Sequence, residues 1–160
     1  MKEKLIDVST WNGNIDWYKV YKSGVRYAMI RSSFGVENPN QVDNKFARNI
    51  TNAQKVGVKC GVYHYSYAQT VAEAQREADF CLKTIKGYKL DLPVAFDIED
   101  SSQTHLGKDT LTSIVIAFCD KIKSAGYRPM LYCNPNWLCN YLHKDKLINK
   151  YDRSEEHTSE

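Results

Sequence analysis

The sequence predicts an α/β fold with parallel strands, and three observations carry that prediction. A short pattern recurs: Ser23-Gly24-Val25-Arg26-Tyr27 leads into Ala28-Met29-Ile30, Val56-Gly57-Val58-Lys59 into Cys60-Gly61-Val62-Tyr63, and Ala125-Gly126-Tyr127-Arg128-Pro129 into Met130-Leu131-Tyr132. In each copy a Gly closes a helix-like segment, where a left-handed cap favours it, and an apolar strand follows. Lys86-Gly87-Tyr88 before Leu92-Pro93-Val94 is a looser fourth copy. The second observation is a strict alternation of strand-like and helix-like segments, the order of βα units with a parallel sheet. The third is that the strands end in polar groups on one face and apolar groups on the other, and parallel α/β sheets bind ligands at their carboxyl ends.

The strands are expected at 5–9, 27–32, 60–67, 94–99 and 130–133, and the helices at 17–22, 43–56, 71–85 and 109–124, with a short fifth at 136–142. In the third helix Thr70 and Glu73 have capping-box spacing, and Ala74, Ala78, Cys81, Leu82 and Ile85 make an apolar stripe. Leu111, Ile114, Val115, Phe118 and Ile122 do the same in the fourth. The chain has 160 residues, 42% hydrophobic and 26% charged, enough for one globular domain with a real core.

Side chains two apart on a strand share a face. Asp7 and Ser9 therefore lie together, as do Tyr63 and Tyr65, and Asp97 and Glu99; Arg31 and Tyr132 end the second and fifth strands. Ile6, Val8, Ile30, Val62, His64, Phe96, Ile98, Leu131 and Cys133 take the other face, toward the helices. Asp97 and Glu99 are separated by about 6–7 Å along the strand. Paired carboxylates at that distance repel, which favours one protonated and one ionised partner, the pairing that general acid catalysis uses. If the sheet curls into a barrel, all these polar ends meet at one mouth. The alternative is a structural network of buried ion pairs, such as Arg31 with Asp7. His64 falls on the helix face and is expected to be a buried histidine with satisfied partners; His105 and His143 are expected in loops or at the surface.

Other function classes find little support. The net charge of +3 is spread among mixed signs, so no nucleic-acid surface is indicated. The five Cys, at 60, 81, 119, 133 and 139, form no CxxC and are odd in number, which suggests neither a disulfide framework nor a zinc site. No Gly-rich phosphate loop follows a strand, and no Ser-His-Asp or Cys-His set has supporting spacing, so neither cofactor nor metal is expected. No apolar run approaches a membrane span. Met1-Lys2-Glu3-Lys4 leads straight into Leu5-Ile6-Asp7, without the apolar stretch of a signal peptide. Eleven Tyr and three Trp are a high aromatic load, compatible with stacking on sugars. Residues 153–160, Arg-Ser-Glu-Glu-His-Thr-Ser-Glu, match residue for residue the translation of a common sequencing adapter. The expectation is that the native reading frame departs near Asp152 and that residues 1–152 begin a longer protein.

Several of these segments resemble the family 25 glycoside hydrolases, the Chalaropsis-type lysozymes and phage muramidases. Asp7-Val8-Ser9-x-Trp11-Asn12-Gly13-x-Ile15-Asp16-Trp17 is similar to that family's opening motif, Gly61-Val62-Tyr63-His64-Tyr65 to its third strand, Val94-Ala95-Phe96-Asp97-Ile98-Glu99 to its catalytic strand and Leu131-Tyr132-x-Asn134 to its fifth. The resemblance implies a flattened β/α barrel of five βα units plus three strands, here lacking the last strands. It implies a peptidoglycan hydrolase that cuts the β-1,4 bond between N-acetylmuramic acid and N-acetylglucosamine with retention, acting on glycan strands at the bacterial cell wall after synthesis in the cytoplasm. By the same resemblance Glu99 is the general acid and Asp97 orients or stabilises the substrate's N-acetyl group. Asp7 tunes the dyad or holds a sugar. Ser9, Arg31, Tyr63, Tyr65, Tyr132 and Asn134 bind substrate. A catalytically silent sugar-binding barrel and a chitinase-like barrel glycosidase are the alternatives; the intact Asp97–Glu99 pair argues against the first and the opening motif against the second. Without its last strands the isolated piece is expected to be unstable and inactive.

Overall fold

The computed structural model describes residues 3–36 and 38–154. Six strands form one parallel sheet in the order β1 to β6: β1 Lys4–Val8, β2 Val25–Phe34, β3 Lys59–Tyr65, β4 Val94–Asp97, β5 Pro129–Tyr132 and β6 Asp152–Ser154. Between them run α1 Trp17–Lys22, α2 Phe46–Lys55, α3 Val71–Ile85, α4 Lys108–Ser124, α5 Pro135–Asn140 and α6 Lys144–Leu147. Every strand pairs parallel with its sequence neighbour, so each connection is a crossover, as the βα repeat requires. The repeat glycines Gly24, Gly57 and Gly126 have φ of 103°, 98° and 93°, a region closed to most side chains.

All the helices lie on one face of the sheet. Ile6, Val8, Ala28, Ile30, Val62, Phe96, Ile98, Leu131 and Cys133 pack there against Phe46, Ile50, Ala74, Ala78, Ile85, Ile114, Phe118 and Trp137 in a single core. The period of two along the strands meets the 3.6 period of α3 and α4 at this interface. The other face carries a smaller cluster of Met29, Tyr63, Ala95 and Tyr132. Gly61 belongs to that face, where a Cβ would stand 2.5 Å from the Pro93 carbonyl oxygen and 2.7 Å from the Met29 sulfur. The missing side chain is what lets the start of β4 approach β3 so closely.

Two features depart from expectation. A β-bulge between Arg31 and Ser33 shifts the register of β2 on β3, so Arg31 pairs with Tyr63 and Ser33 with His64. One extra residue in a ladder leaves the period of two unchanged below it and displaced above it, and the sequence shows no mark of it. The second is β6, which pairs Met130 with Asp152 and Tyr132 with Ser154. Three residues are too few to display a strand period, so the tail reads as featureless. Its last six residues, 155–160, lie outside the described residues. No helix among the described residues is long and apolar enough to cross a membrane.

Candidate active site

The carboxyl ends of β1 to β5 converge on the face opposite the helices. There Ser9, Arg31, Tyr63, Tyr65, Asp97 and Glu99 line a cleft of about 380 Å³, joined by Trp11, Asn12 and Tyr67. Register explains the convergence: Arg31 pairs with Tyr63, Tyr65 with Asp97, and Asp97 with Tyr132, so the polar residues lie side by side across neighbouring strands. Beyond Asp97 the backbone keeps its partners. The Ile98 amide donates to the Tyr132 carbonyl at 3.0 Å and the Ser66 amide to the Asp97 carbonyl at 2.9 Å. Those two bonds hold the Asp97-Ile98-Glu99 segment from both sides.

Burial grades the site from floor to rim. Asp7 and Tyr132 are 1% exposed and Asp97 2%, whereas Glu99 is only partly buried. The Tyr63 and Tyr132 rings are 5.8 Å apart. Burial pushes the Tyr63 phenol well above its ordinary pKa, and the charges of Asp7 and Asp97 push it further. Tyr132 is raised in the same way, by burial first, then by Asp7, Tyr63, Asp97 and Glu99. Both phenols therefore stay protonated and keep an O–H to donate beside the carboxylates. Tyr65 is raised by burial and by Asp100, to which its hydroxyl donates at 3.0 Å. Asp100 moves the other way. Burial opposes its ionisation, but hydrogen bonds from Ser102 and Tyr65 prevail and lower its pKa.

The guanidinium of Arg31 makes its buried ion pair with Asp43, Nε to Oδ2 at 2.8 Å. The same oxygen accepts the Thr10 amide at 2.9 Å, and Oδ1 accepts the Lys45 amide at 2.8 Å. Asp43 thereby ties the cleft floor to the turn after β1. Nothing in the sequence around Asp43 signals this, because its partners come from 12 and 33 positions away. Ser9 caps the 3-10 turn Thr10–Asn12: its hydroxyl oxygen accepts the Trp11 amide at 3.2 Å, while its own amide donates to Asn12 Oδ1 at 2.9 Å. Asn134 caps α5, accepting the Trp137 amide at 2.9 Å; like the buried Asp7 and Tyr132, it is not among the residues lining the cleft.

His64 lies on the helix side with no exposed surface. Its Nδ1 is 2.8 Å from the Ser33 hydroxyl and its Nε2 3.5 Å from the Glu77 carboxylate. Glu77 also accepts the Ser66 hydroxyl at 2.7 Å and the Tyr67 amide at 3.0 Å. His105 is exposed, and His143 contacts Asp109 at 2.6 Å. Among the described residues no group of three His, Cys, Asp or Glu side chains is arranged to hold a metal ion.

Comparison with known proteins supplies the family. The sequence model of Glycosyl hydrolases family 25 matches residues 6–154. Lysozyme M1 of Streptomyces globisporus is 34% identical over 97 residues, 59% of this chain and 32% of that protein. An N,O-diacetylmuramidase of Arthroderma benhamiae is 28% identical over 139 residues, 82% of this chain and 57% of that protein. The crystal structure of the CTP1L endolysin superposes with a TM-score of 0.82 at 29% identity, covering 95% of this chain and 51% of that one. The chain thus spans between about a third and three-fifths of the length of these three relatives. A family match from the first strand through the sixth, on a parallel α/β sheet shared with an endolysin, leaves one conclusion: the chain belongs to the family 25 glycosyl hydrolases.

Proposed function

We propose that this chain carries the catalytic cleft of a peptidoglycan hydrolase that cuts the β-1,4 bond between N-acetylmuramic acid and N-acetylglucosamine. The observation that carries this reading is the placement of Asp97 and Glu99 on one strand end, in one cleft with Arg31, Tyr63 and Tyr65. Glu99, nearer solvent, gives its proton to the leaving glycosidic oxygen. Asp97, held deeper, stabilises the acetamido group of the sugar being cut. The oxygen of that acetamido group attacks the anomeric carbon, and water then opens the intermediate with Glu99 as base, so configuration is retained. Asp7 sets the charge beneath the dyad, and Tyr63 and Tyr132 donate hydrogen bonds into it. The site works on glycan strands at the bacterial cell wall.

On this reading the sheet closes into a barrel when further strands follow, and this chain alone does not clear cell walls. Residues 153–160 derive from an adapter. A long-read sequence of the locus that encodes this octapeptide and then stops would overturn that origin.

The test is digestion of purified cell walls by the complete gene product. The new reducing ends should be N-acetylmuramic acid of unchanged anomeric configuration, and Glu99→Gln should abolish them. Reducing ends of N-acetylglucosamine, a preference for chitin over walls, or full activity in Glu99→Gln would each refute the proposal.

A further inference from the structure

Trp11 is 85% exposed, the most exposed large apolar side chain among the described residues. An indole so open to water is unusual unless something covers it in use. Its backbone is held firmly. Ser9 takes the Trp11 amide, Asn12 closes the capping box, the Thr10 hydroxyl donates to Asn44 Oδ1, and Asp43 takes the Thr10 amide on the oxygen that also binds Arg31. A side chain presented on a fixed turn loses little freedom when a ligand covers it. The indole lines the same cleft as Glu99, together with Tyr65 and Tyr67, whose rings are 5.2 Å apart. Carboxylates, amide and guanidinium among flat aromatic surfaces suit a pyranose, which has C–H groups on its faces and hydroxyls at its edge.

We propose that Trp11 is a binding platform on which one pyranose of the glycan stacks, next to the sugar at Glu99. The proposal rests on the wall-glycan reading above for the identity of that sugar. Trp17 and Trp137 are each 3% exposed, so of the three indoles only Trp11 is open to ligand.

The experiment uses the complete gene product with Glu99→Gln, which binds without cutting. It is titrated with a tetrasaccharide of alternating N-acetylglucosamine and N-acetylmuramic acid, with chitotetraose and with cellotetraose, reading calorimetric Kd. The wall tetrasaccharide should bind, Trp11→Ala should weaken it about tenfold or more, and Trp11→Tyr should restore most of the loss. The unfolding midpoint should not move, since the replaced side chain is exposed. Unchanged Kd in Trp11→Ala overturns the platform and leaves the muramidase reading intact. Binding of chitotetraose or cellotetraose alone, weakened by Trp11→Ala, keeps the platform and overturns the wall-glycan reading. Absence of binding to all three sugars overturns the platform.

Discussion

Glu77, on α3, and Glu99, just past the end of β4, are the same side chain on opposite sides of one sheet. Glu77 has no exposed surface, and each of its oxygens takes a hydrogen bond, one from Ser66 and one from Tyr67, with the His64 ring beside it. Glu99 is partly exposed in a cleft large enough for a sugar. Burial does not by itself mark a working acid. The carboxylate enclosed by fixed donors is a structural tie, and the one left access to solvent and ligand is available for chemistry. Glu77 nevertheless serves the site at one remove, because the Ser66-Tyr67 segment it holds lies between Tyr65 and α3 and reaches the Asp97 carbonyl through the Ser66 amide.

That contrast can be broken in order of expected size, in each case in the complete gene product. Glu99→Gln should lower turnover on cell walls by about 10²–10⁴-fold with an unchanged urea midpoint; a large loss of stability would make it a structural residue like Glu77. Glu77→Ala should do the reverse in kind, lowering unfolding stability by about 3 kcal/mol through the stranded Ser66 hydroxyl, Tyr67 amide and His64 ring. A urea midpoint equal to wild type would contradict it. Gly61→Ala should cost about 1–3 kcal/mol, because the new methyl group meets the Pro93 carbonyl and must push β4 away. Chemical denaturation would expose the error if the variant were as stable as its parent. The smallest effect is chemical. Burial raises the thiols of Cys60 and Cys81 to about 12, and Cys119 is raised as well, while Cys139 is exposed. Iodoacetamide at pH 8 should therefore modify Cys139 and spare those three in the native state. Peptide mapping that finds Cys60 or Cys81 alkylated without denaturant would show that the helix face opens.

Much of this arrangement was legible because it follows from periodicity. The expected segments 17–22 and 71–85 coincide with α1 and α3, and strand parity alone separates Tyr63 and Asp97 from His64 and Phe96. What stayed hidden depends on contacts between distant positions. The ion pair of Arg31 with Asp43 joins the strand to a loop with no repeating pattern, and nothing in the sequence points to it. Trp11 sits in a motif that the family resemblance covers, yet only its exposure in the folded chain gives it a distinct role. By contrast, the cap that Asn134 places on α5 follows from its position before Pro135, a local pattern the sequence does carry. The start of β6 has too few residues to show a pattern at all.

The bulge in β2 has a consequence for anyone who would rebuild or transplant this site. It works as a phase slip: below it the strand keeps time with the helix-packed core, and above it with the loop that brings Asp43 beneath the cleft. Ser32 and Ser33 both end up buried, the first near the Cys81 thiol and the second on His64, while Arg31 keeps its place at the mouth. Deleting Ser32 would leave Ser33 on His64 and Phe34 on Tyr65, but it would remove the carbonyl that accepts the Asp43 amide and so loosen the loop that brings Asp43 to Arg31. A scaffold that copies the cleft residues but smooths this strand would inherit the letters of the site without its spacing.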